Sequence, residues 1–585
     1  MYALAAVFER KNTMDTNRLY EEWLAKAGED KDLIDELESI KGNESEIYER
    51  FYRELRFGTA GLRGVIGAGT NRMNIYTVRR ATQGLANYLN KKYGSSSVAI
   101  SYDSRIKARL FACEAARVLA SSGIKVYVTK ELEPTPVLSY AVRELKCHAG
   151  IMVTASHNPA KYNGYKCYGE DGCQMTDNAA SQVYDEITSV NCFDIKPMEL
   201  NDAISAGKIE FIDDSLYDAY IEDVYAQTVN KNICDGADLS VVYTPLNGAG
   251  NKLIRRIMDK IGVKNVTVVK EQELPDGNFP TCPYPNPEFR EALELGLQIC
   301  DKIKPDLLLA SDPDSDRVGI AVKDGDSYRL ITGNETGIML TEYILSSRKK
   351  LGTLPKNPII IKTIVSSVLT EKIAENYGCE LIDVLTGFKY IGEQILKLEQ
   401  KGEENRFLLG FEESYGYLSG TYVRDKDAVV ASMLICEMAA FYKKQGLSLS
   451  QVIDRIYDEY GYYKNKTFNY EFKGSAGMER MHSIMEHMRT NRPEKIGGFK
   501  VIKFADYYTH LAENLLTGET KNIDLPQSNV LSYSLEGGSQ AIIRPSGTEP
   551  KIKLYITAVS KVKGGTVEIG EKIKNDAEKL MGIDE

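Results

Sequence analysis

VAISYD (98–103), ARLFACEAARVLASSG (108–123), KVYVT (125–129) and GIMVTA (150–155) decide the fold. The first, third and fourth are short apolar runs and predict buried strands; the second predicts a helix that stops at Gly123. Strands separated by helical segments imply βαβ units and a mainly parallel sheet. The alternation restarts at LSVVYTP (239–245) and continues through KLIRRIMDKIG, VTVVK and DLLLASD. A third round begins near Gly333: a helix, PIIIKTI, a helix over 368–377, LIDVLT, another helix and FLLGFEES. The tail differs. SNVLSYSLEGG, QAIIRPSG and KIKLYITAV predict strands and TVEIGEKIKNDAEKL a closing helix, an α+β pattern.

Ahead of the first module, residues 15–56 are dense in Glu, Lys and Leu, with Leu19, Trp23 and Leu24 at helical spacing. They predict one or two amphipathic helices, followed by a Gly-rich break, FGTAGLRGVIGAG (57–69). The division read from this pattern is a helical extension (1–56), three α/β domains (57–215, 216–330 and 331–470) and an α+β domain (471–585).

A chain of 585 residues fits three to five domains at about 150 residues each. With 43% hydrophobic residues, 36 Tyr and 16 Phe, it can build real cores. A net charge of −10 repels nucleic acid, so an anion-handling site must gather its Lys and Arg locally. Ten scattered cysteines without a C-x-x-C pair fit reduced thiols and a cytoplasmic location. The N-terminus lacks a basic leader and a cleavage site, Met14 is a plausible start, and no stretch is long and apolar enough to span a membrane.

In open α/β sheets ligands bind beyond the carboxyl ends of strands. After GIMVTA comes Thr154-Ala155-Ser156-His157-Asn158-Pro159, an exposed hydroxyl on a turn. A polar helix-capping turn is the bland alternative. A hydrolase nucleophile lacks support, because no G-x-S-x-G occurs and His157, adjacent in sequence, is not expected to face Ser156.

After DLLLA comes Asp312-Pro313-Asp314-Ser315-Asp316-Arg317. Alternate spacing points three carboxylates to one side, where a cation must offset their repulsion. Oxygen ligands without Cys or His favour Mg²⁺; an EF-hand fails because Arg317 and Lys323 occupy its Gly and Glu positions. A solvated acidic turn is the alternative. Thr386-Gly387-Phe388-Lys389 and Gly410-Phe411-Glu412-Glu413-Ser414-Tyr415-Gly416 suit sugar hydroxyls and a phosphate, though a helix N-cap or a solvated face explains either equally well; Val423-Arg424-Asp425-Lys426-Asp427 adds mixed charge before the next helix. Arg544-Pro545-Ser546-Gly547-Thr548, also a hairpin turn, offers a cradle of donors for phosphate.

Jointly, T-A-S-H-N-P (154–159), D-P-D-S-D-R (312–317), E-E-S (412–414) and R-P-S-G-T (544–548) resemble the α-D-phosphohexomutase family of phosphoglucomutases and phosphomannomutases. G-T-A-G-L-R-G (58–64) and N-G-Y-K (163–166) are similar to two further segments of that family. The resemblance implies a heart-shaped, four-domain enzyme with one cleft, a phosphorylated Ser156, and Mg²⁺ held by Ser156, Asp312, Asp314 and Asp316. Arg63, Lys166 and His157 would complete the catalytic set. Arg317, Thr386, Gly387, Lys389, Glu412, Ser414, Arg424, Lys426, Arg544, Ser546, Gly547 and Thr548 would bind substrate.

The sugar-loop wording F-E-E-S-Y-G-Y is similar to the branch of bacterial α-phosphoglucomutases, phosphopentomutase and glucose-1,6-bisphosphate synthase. It points to glucose 1-phosphate and glucose 6-phosphate, with glucose 1,6-bisphosphate as intermediate; pentose or mannose phosphates, bisphosphate synthesis and a silent sugar-phosphate sensor are the alternatives. Whether the chain is a monomer or a dimer is left open.

Overall fold

The structure is a computed structural model that describes residues 15–58, 61–472, 475–546 and 551–583. The choice between Met1 and Met14 as start lies outside the described residues, as do Thr59, Ala60, Gly547 and Thr548.

The described chain gathers into two compact units. One holds the chain up to Ala321 with Gly392–Lys401 and Gly416–Ala440; the other holds Val322–Ile391, Gly402–Tyr415 and the chain from Phe441 on.

In the first unit the opening segment forms three helices, over 15–26, Lys31–Ser39 and Glu44–Phe51, where one or two were expected. Asp30 and Asn43 cap the second and third through their side chains, so each turn starts a new helix. These helices share the core of the first domain rather than preceding it. Trp23 packs edge-on against Phe51, Tyr76 and Phe193 at 5.9, 5.6 and 5.4 Å between ring centroids.

The first sheet runs β1 (Gly61–Val65), β5 (Tyr162–Gly169), β4 (Ala149–Val153), β2 (Ser97–Tyr102), β3 (Lys125–Val128) and β6 (Ile209–Phe211) across its width. β4, β2, β3 and β6 are parallel, as the alternation of strands and helices predicts. β5 and β1 add two antiparallel strands that the Gly-rich segments did not advertise. Gly164 allows this: a side chain there would run into the carbonyls of Thr154 and Leu62. The second sheet pairs β7 (Ser240–Thr244) in parallel with β8 (Asn265–Val268) and β9 (Leu307–Ser311).

In the second unit Ile359–Thr363 pairs in parallel with Glu380–Val384 and Phe407–Phe411. The C-terminal domain is antiparallel: Tyr462–Glu471, Lys551–Ser560, Gln540–Pro545, Leu531–Leu535 and Phe499–Asp506 lie side by side. Helices Ser475–Thr490 and Gly565–Leu580 complete it. The strand Tyr462–Glu471 belongs to this sheet along its whole length, so the C-terminal domain starts ahead of the 470/471 boundary read from the pattern. Three α/β domains and a β-rich fourth make up the chain, the predicted fold class. No described helix is long and apolar enough to cross a membrane.

Candidate active site

β4 is buried throughout and delivers Thr154, Ala155 and Ser156 at its carboxyl end. Thr154 Oγ1 accepts the Ser156 N–H at 2.8 Å and donates to Asp103 Oδ2 at 2.6 Å. These bonds hold Ser156 at φ +52°, a left-handed conformation that a non-glycine residue adopts only under constraint. Ser156 is 4% exposed, and its hydroxyl donates to Asp312 Oδ2 at 2.8 Å.

His157 Nδ1 lies 3.1 Å from the same Oγ. The expectation that adjacency turns His157 away from Ser156 is therefore wrong, because the left-handed turn brings consecutive side chains together. The imidazole tautomer sets which of the two atoms donates. Burial, with Arg317 and Arg63 adding to it, holds the imidazole well below its ordinary pKa, so His157 is neutral at pH 7.

Asp312, Asp314 and Asp316 follow β9 and are all buried; they offer carboxylate oxygens within 4.8 Å of one another. Asp312 Oδ1 accepts the backbone N–H groups of Asp316 and Arg317 at 3.1 and 3.0 Å, which shapes the loop. Asp314 Oδ1 and Asp316 Oδ1 have no hydrogen-bond partner although both are buried. Burial, then Asp314 and Asp316, pushes the Asp312 carboxyl well above the usual range. Two orphaned hard oxygens beside a third acid fit Mg²⁺, and Asp312, Asp314 and Asp316 would hold it.

Lys166, on β5, donates to Asp314 Oδ2 at 3.0 Å and lies 3.5 Å from Asp316 Oδ2. Burial opposes its charge, yet the two aspartates hold its pKa above the ordinary value, so it stays an ammonium. Burial likewise disfavours charge on Asp314, but Lys166 pulls its pKa far below the usual range. Lys426 reaches Asp316 Oδ2 at 3.2 Å and Asp425 Oδ1 at 3.0 Å. Arg63, on β1 opposite Gly164, stands close enough to depress both His157 and Arg105.

Arg424 is a correction. It is 1% exposed, and its terminal nitrogens are taken up by Glu399 and by the carbonyls of Thr421 and Val423, so the structure places it inside the first unit and not at an open surface. Arg317 makes an ion pair with Glu288 at 2.5 Å. Two residues at the site escaped the sequence reading: Asp103 and Arg105, directly after β2. The strand-end rule applied to VAISYD would have found them.

Thr135 binds the metal loop from another side. Its N–H donates to the Asp314 carbonyl at 2.8 Å and its hydroxyl to Asp314 Oδ2 at 3.1 Å. Two residues earlier, burial pushes Glu133 up to about 8. The native state thus keeps this proton between pH 4.5 and 8 while the unfolded chain loses it, and stability falls as pH rises through that window. Glu133→Gln removes the penalty. Its Tm advantage over wild type is expected to grow from pH 5 to pH 8 in thermal scans; parallel curves would contradict this.

The second unit carries the other loops. Glu412, 7% exposed, accepts the Gly387 N–H at 2.9 Å, which joins the 386–389 and 410–414 loops. Gly387 has φ +116°, which suits glycine. Thr363 Oγ1 donates to Glu413 at 3.0 Å. The Lys389 ammonium stands 4.9 Å over the Tyr390 ring, while Thr386 and Ser414 are half-buried. Arg544 starts the predicted hairpin turn opposite Lys553, and it hydrogen-bonds Tyr555, whose hydroxyl also feels Glu413 and Glu412. Ser546 N–H donates to the Lys551 carbonyl at 2.7 Å.

The chain matches the three α/β/α domains of phosphoglucomutase/phosphomannomutase in order: domain I over 54–191, domain II over 218–325 and domain III over 332–460. The chain belongs to the phosphoglucomutase/phosphomannomutase family.

Its relatives in that family include a phosphoglucomutase of Staphylococcus saprophyticus, 38% identical over 86% of this chain and 90% of the relative. A second, from Staphylococcus haemolyticus, is 38% identical over 87% and 91%. The fold is similar to that of the open form of parafusin, a phosphoglucomutase from Paramecium, with a TM-score of 0.68 over 91% of this chain and 96% of that one, at 18% identity. As a member of the phosphoglucomutase/phosphomannomutase family the chain is an enzyme of the mutase class, an intramolecular phosphotransferase that uses Mg²⁺.

Proposed function

We propose that the chain is a cytoplasmic phosphoglucomutase that carries its transferable phosphoryl group on Ser156. The 2.8 Å bond from Ser156 Oγ to Asp312, at the edge of a buried aspartate trio, carries this reading.

The phosphoserine gives its phosphoryl group to the 6-hydroxyl of α-D-glucose 1-phosphate. The P–O bond to Ser156 breaks, a P–O bond to O6 forms, and the proton lost by the 6-hydroxyl ends on Oγ. The resulting glucose 1,6-bisphosphate returns its 1-phosphate to Ser156, and glucose 6-phosphate departs. Phosphoryl transfer asks for positioning and charge neutralisation more than for covalent chemistry. Asp312, Asp314 and Asp316 would hold Mg²⁺, which would supply Lewis-acid charge neutralisation. Lys166, paired with Asp314 and Asp316, serves as a charge stabiliser or a proton carrier. Neutral His157 hydrogen-bonds Oγ through Nδ1 and orients it. Arg63 and Lys426 add positive charge.

To the second unit we assign recognition. Thr386, Gly387, Glu412 and Ser414 suit sugar hydroxyls; Lys389, Arg544 and Ser546 suit the non-reacting phosphate. Gly547 and Thr548 would join them by resemblance.

Intact mass spectrometry of wild type, with coupled assays on glucose 1-phosphate, mannose 1-phosphate and ribose 1-phosphate, tests the proposal. We expect one phosphoryl group, mapped to Ser156, and fastest turnover of glucose 1-phosphate. Faster ribose 1-phosphate turnover would move the assignment to pentoses, and phosphate-free protein with no mutase activity would overturn it.

A further inference from the structure

Arg105 is buried, with no exposed surface on its side chain, beneath the Ser156 loop. One terminal nitrogen donates to the carbonyls of Pro159 and Tyr162, at 3.0 Å each. The other donates to the carbonyl of Ser156 at 2.5 Å and to that of Asn158. A single guanidinium therefore gathers four backbone carbonyls from seven consecutive residues, 156–162. Without the guanidinium these convergent carbonyls would repel one another and the buried Ser156 carbonyl would lose this donor, although the half-buried Pro159 carbonyl also accepts the Tyr162 N–H at 3.0 Å.

The cation is itself held in place. Its Nε lies 3.5 Å from Asp103 Oδ2, and Asp103 Oδ1 accepts the Arg105 N–H at 2.9 Å. The other oxygen interaction of Asp103 is the 2.6 Å bond from Thr154, whose hydroxyl in turn accepts the Ser156 N–H. The Asp103–Arg105 pair thus grips Ser156 from both sides of its peptide: the N–H through Thr154, the carbonyl directly. The guanidinium stacks within 5.1 Å of the Phe279 ring, and the backbones of Arg105 and Gly277 form a bridge. Residues 277 and 279 belong to the second domain, which also bears the aspartate trio.

We infer that Arg105 is a positioning residue for phosphoryl transfer, which holds Ser156 in its left-handed conformation and sets the Ser156 loop against the domain that carries Asp312, Asp314 and Asp316. This rests on Ser156 being the phosphoryl carrier. Lysine cannot substitute, since an ammonium has three tetrahedral donors where four planar ones are used. A loop released from this clamp misplaces the donor oxygen without removing any group that touches substrate.

The test uses full-length Arg105→Lys beside wild type. Steady-state kinetics with glucose 1-phosphate are combined with the rate at which glucose 1,6-bisphosphate phosphorylates Ser156, read by intact mass. Expected for the variant are a kcat and a phosphorylation rate lower by about 10²-fold, the cost of a small misplacement, with KM changed less than about threefold. Circular dichroism checks that it is folded.

If Arg105→Lys is folded, with wild-type kcat and wild-type phosphorylation rate, the inference is overturned even where Tm falls. Should the variant not fold, Phe279→Leu decides: it keeps the cation and removes only the ring, and we expect kcat to fall about fivefold at unchanged KM. Unchanged kcat there overturns the inference. Wild type that takes no phosphate on Ser156 would instead sink the reading of Ser156 as carrier, a different failure from that of Arg105.

Discussion

Ser156→Ala is expected to abolish mutase turnover, by a factor on the order of 10⁶, and to leave the protein unphosphorylated and folded. In the proposed mechanism the serine oxygen carries the phosphoryl group and no neighbour replaces it: His157 is the wrong group, and Asp312 would hold the metal. The surrounding structure barely depends on the hydroxyl. The backbone of residue 156 keeps its bonds to Thr154 and Arg105, and the change deletes one oxygen from a buried position. Coupled assay, intact mass and circular dichroism together check this. Substantial turnover in a folded Ser156→Ala protein would end the phosphoserine mechanism.

Chelation of the divalent ion is expected to slow wild-type turnover by about 10²–10³-fold, with recovery on adding Mg²⁺. Asp314→Asn should show the same loss and no recovery. Stability supplies an independent readout. Mg²⁺ at a hundred times its Kd adds about 2.7 kcal/mol to wild type, visible as a raised Tm. The metal-free trio behaves in the opposite way: burial and two neighbouring carboxylates penalise a charge at position 312. Asp312→Asn is thus expected to raise the Tm of metal-free protein while shrinking the gain from Mg²⁺. A Tm indifferent to Mg²⁺, with turnover indifferent to chelation, would remove the aspartates from the mechanism.

The parallel strands were legible because both faces are buried, which writes them as unbroken apolar runs such as VAISY and DLLLA. The antiparallel pair β1 and β5 was not, since Gly164, which lets β5 lie close to Thr154 and to Leu62 of β1, reads as a loop residue. Tyr462–Glu471 was hidden for another reason: none of its ten residues is fully buried, so no apolar rhythm marks it. At the site, Ser156 and the aspartates stood out by residue type and place. Arg424 misled because charge in a sequence does not say which carboxylate or carbonyl will absorb it. Asp103 and Arg105 passed unnoticed because SYDSR carries no rare residue; only the fold reveals that its cation sits under the Ser156 loop.

Trp23 is the chain's one tryptophan and lies in the core that the opening helices share with the first domain. Indole emission is consequently a single-site reporter of that core, silent about the tyrosine-bearing C-terminal sheet. Denaturation followed by emission and by far-ultraviolet dichroism would superimpose if all four domains melt together. Any offset between the two traces shows that a part of the chain outside that core comes apart separately, without a label or a truncated chain.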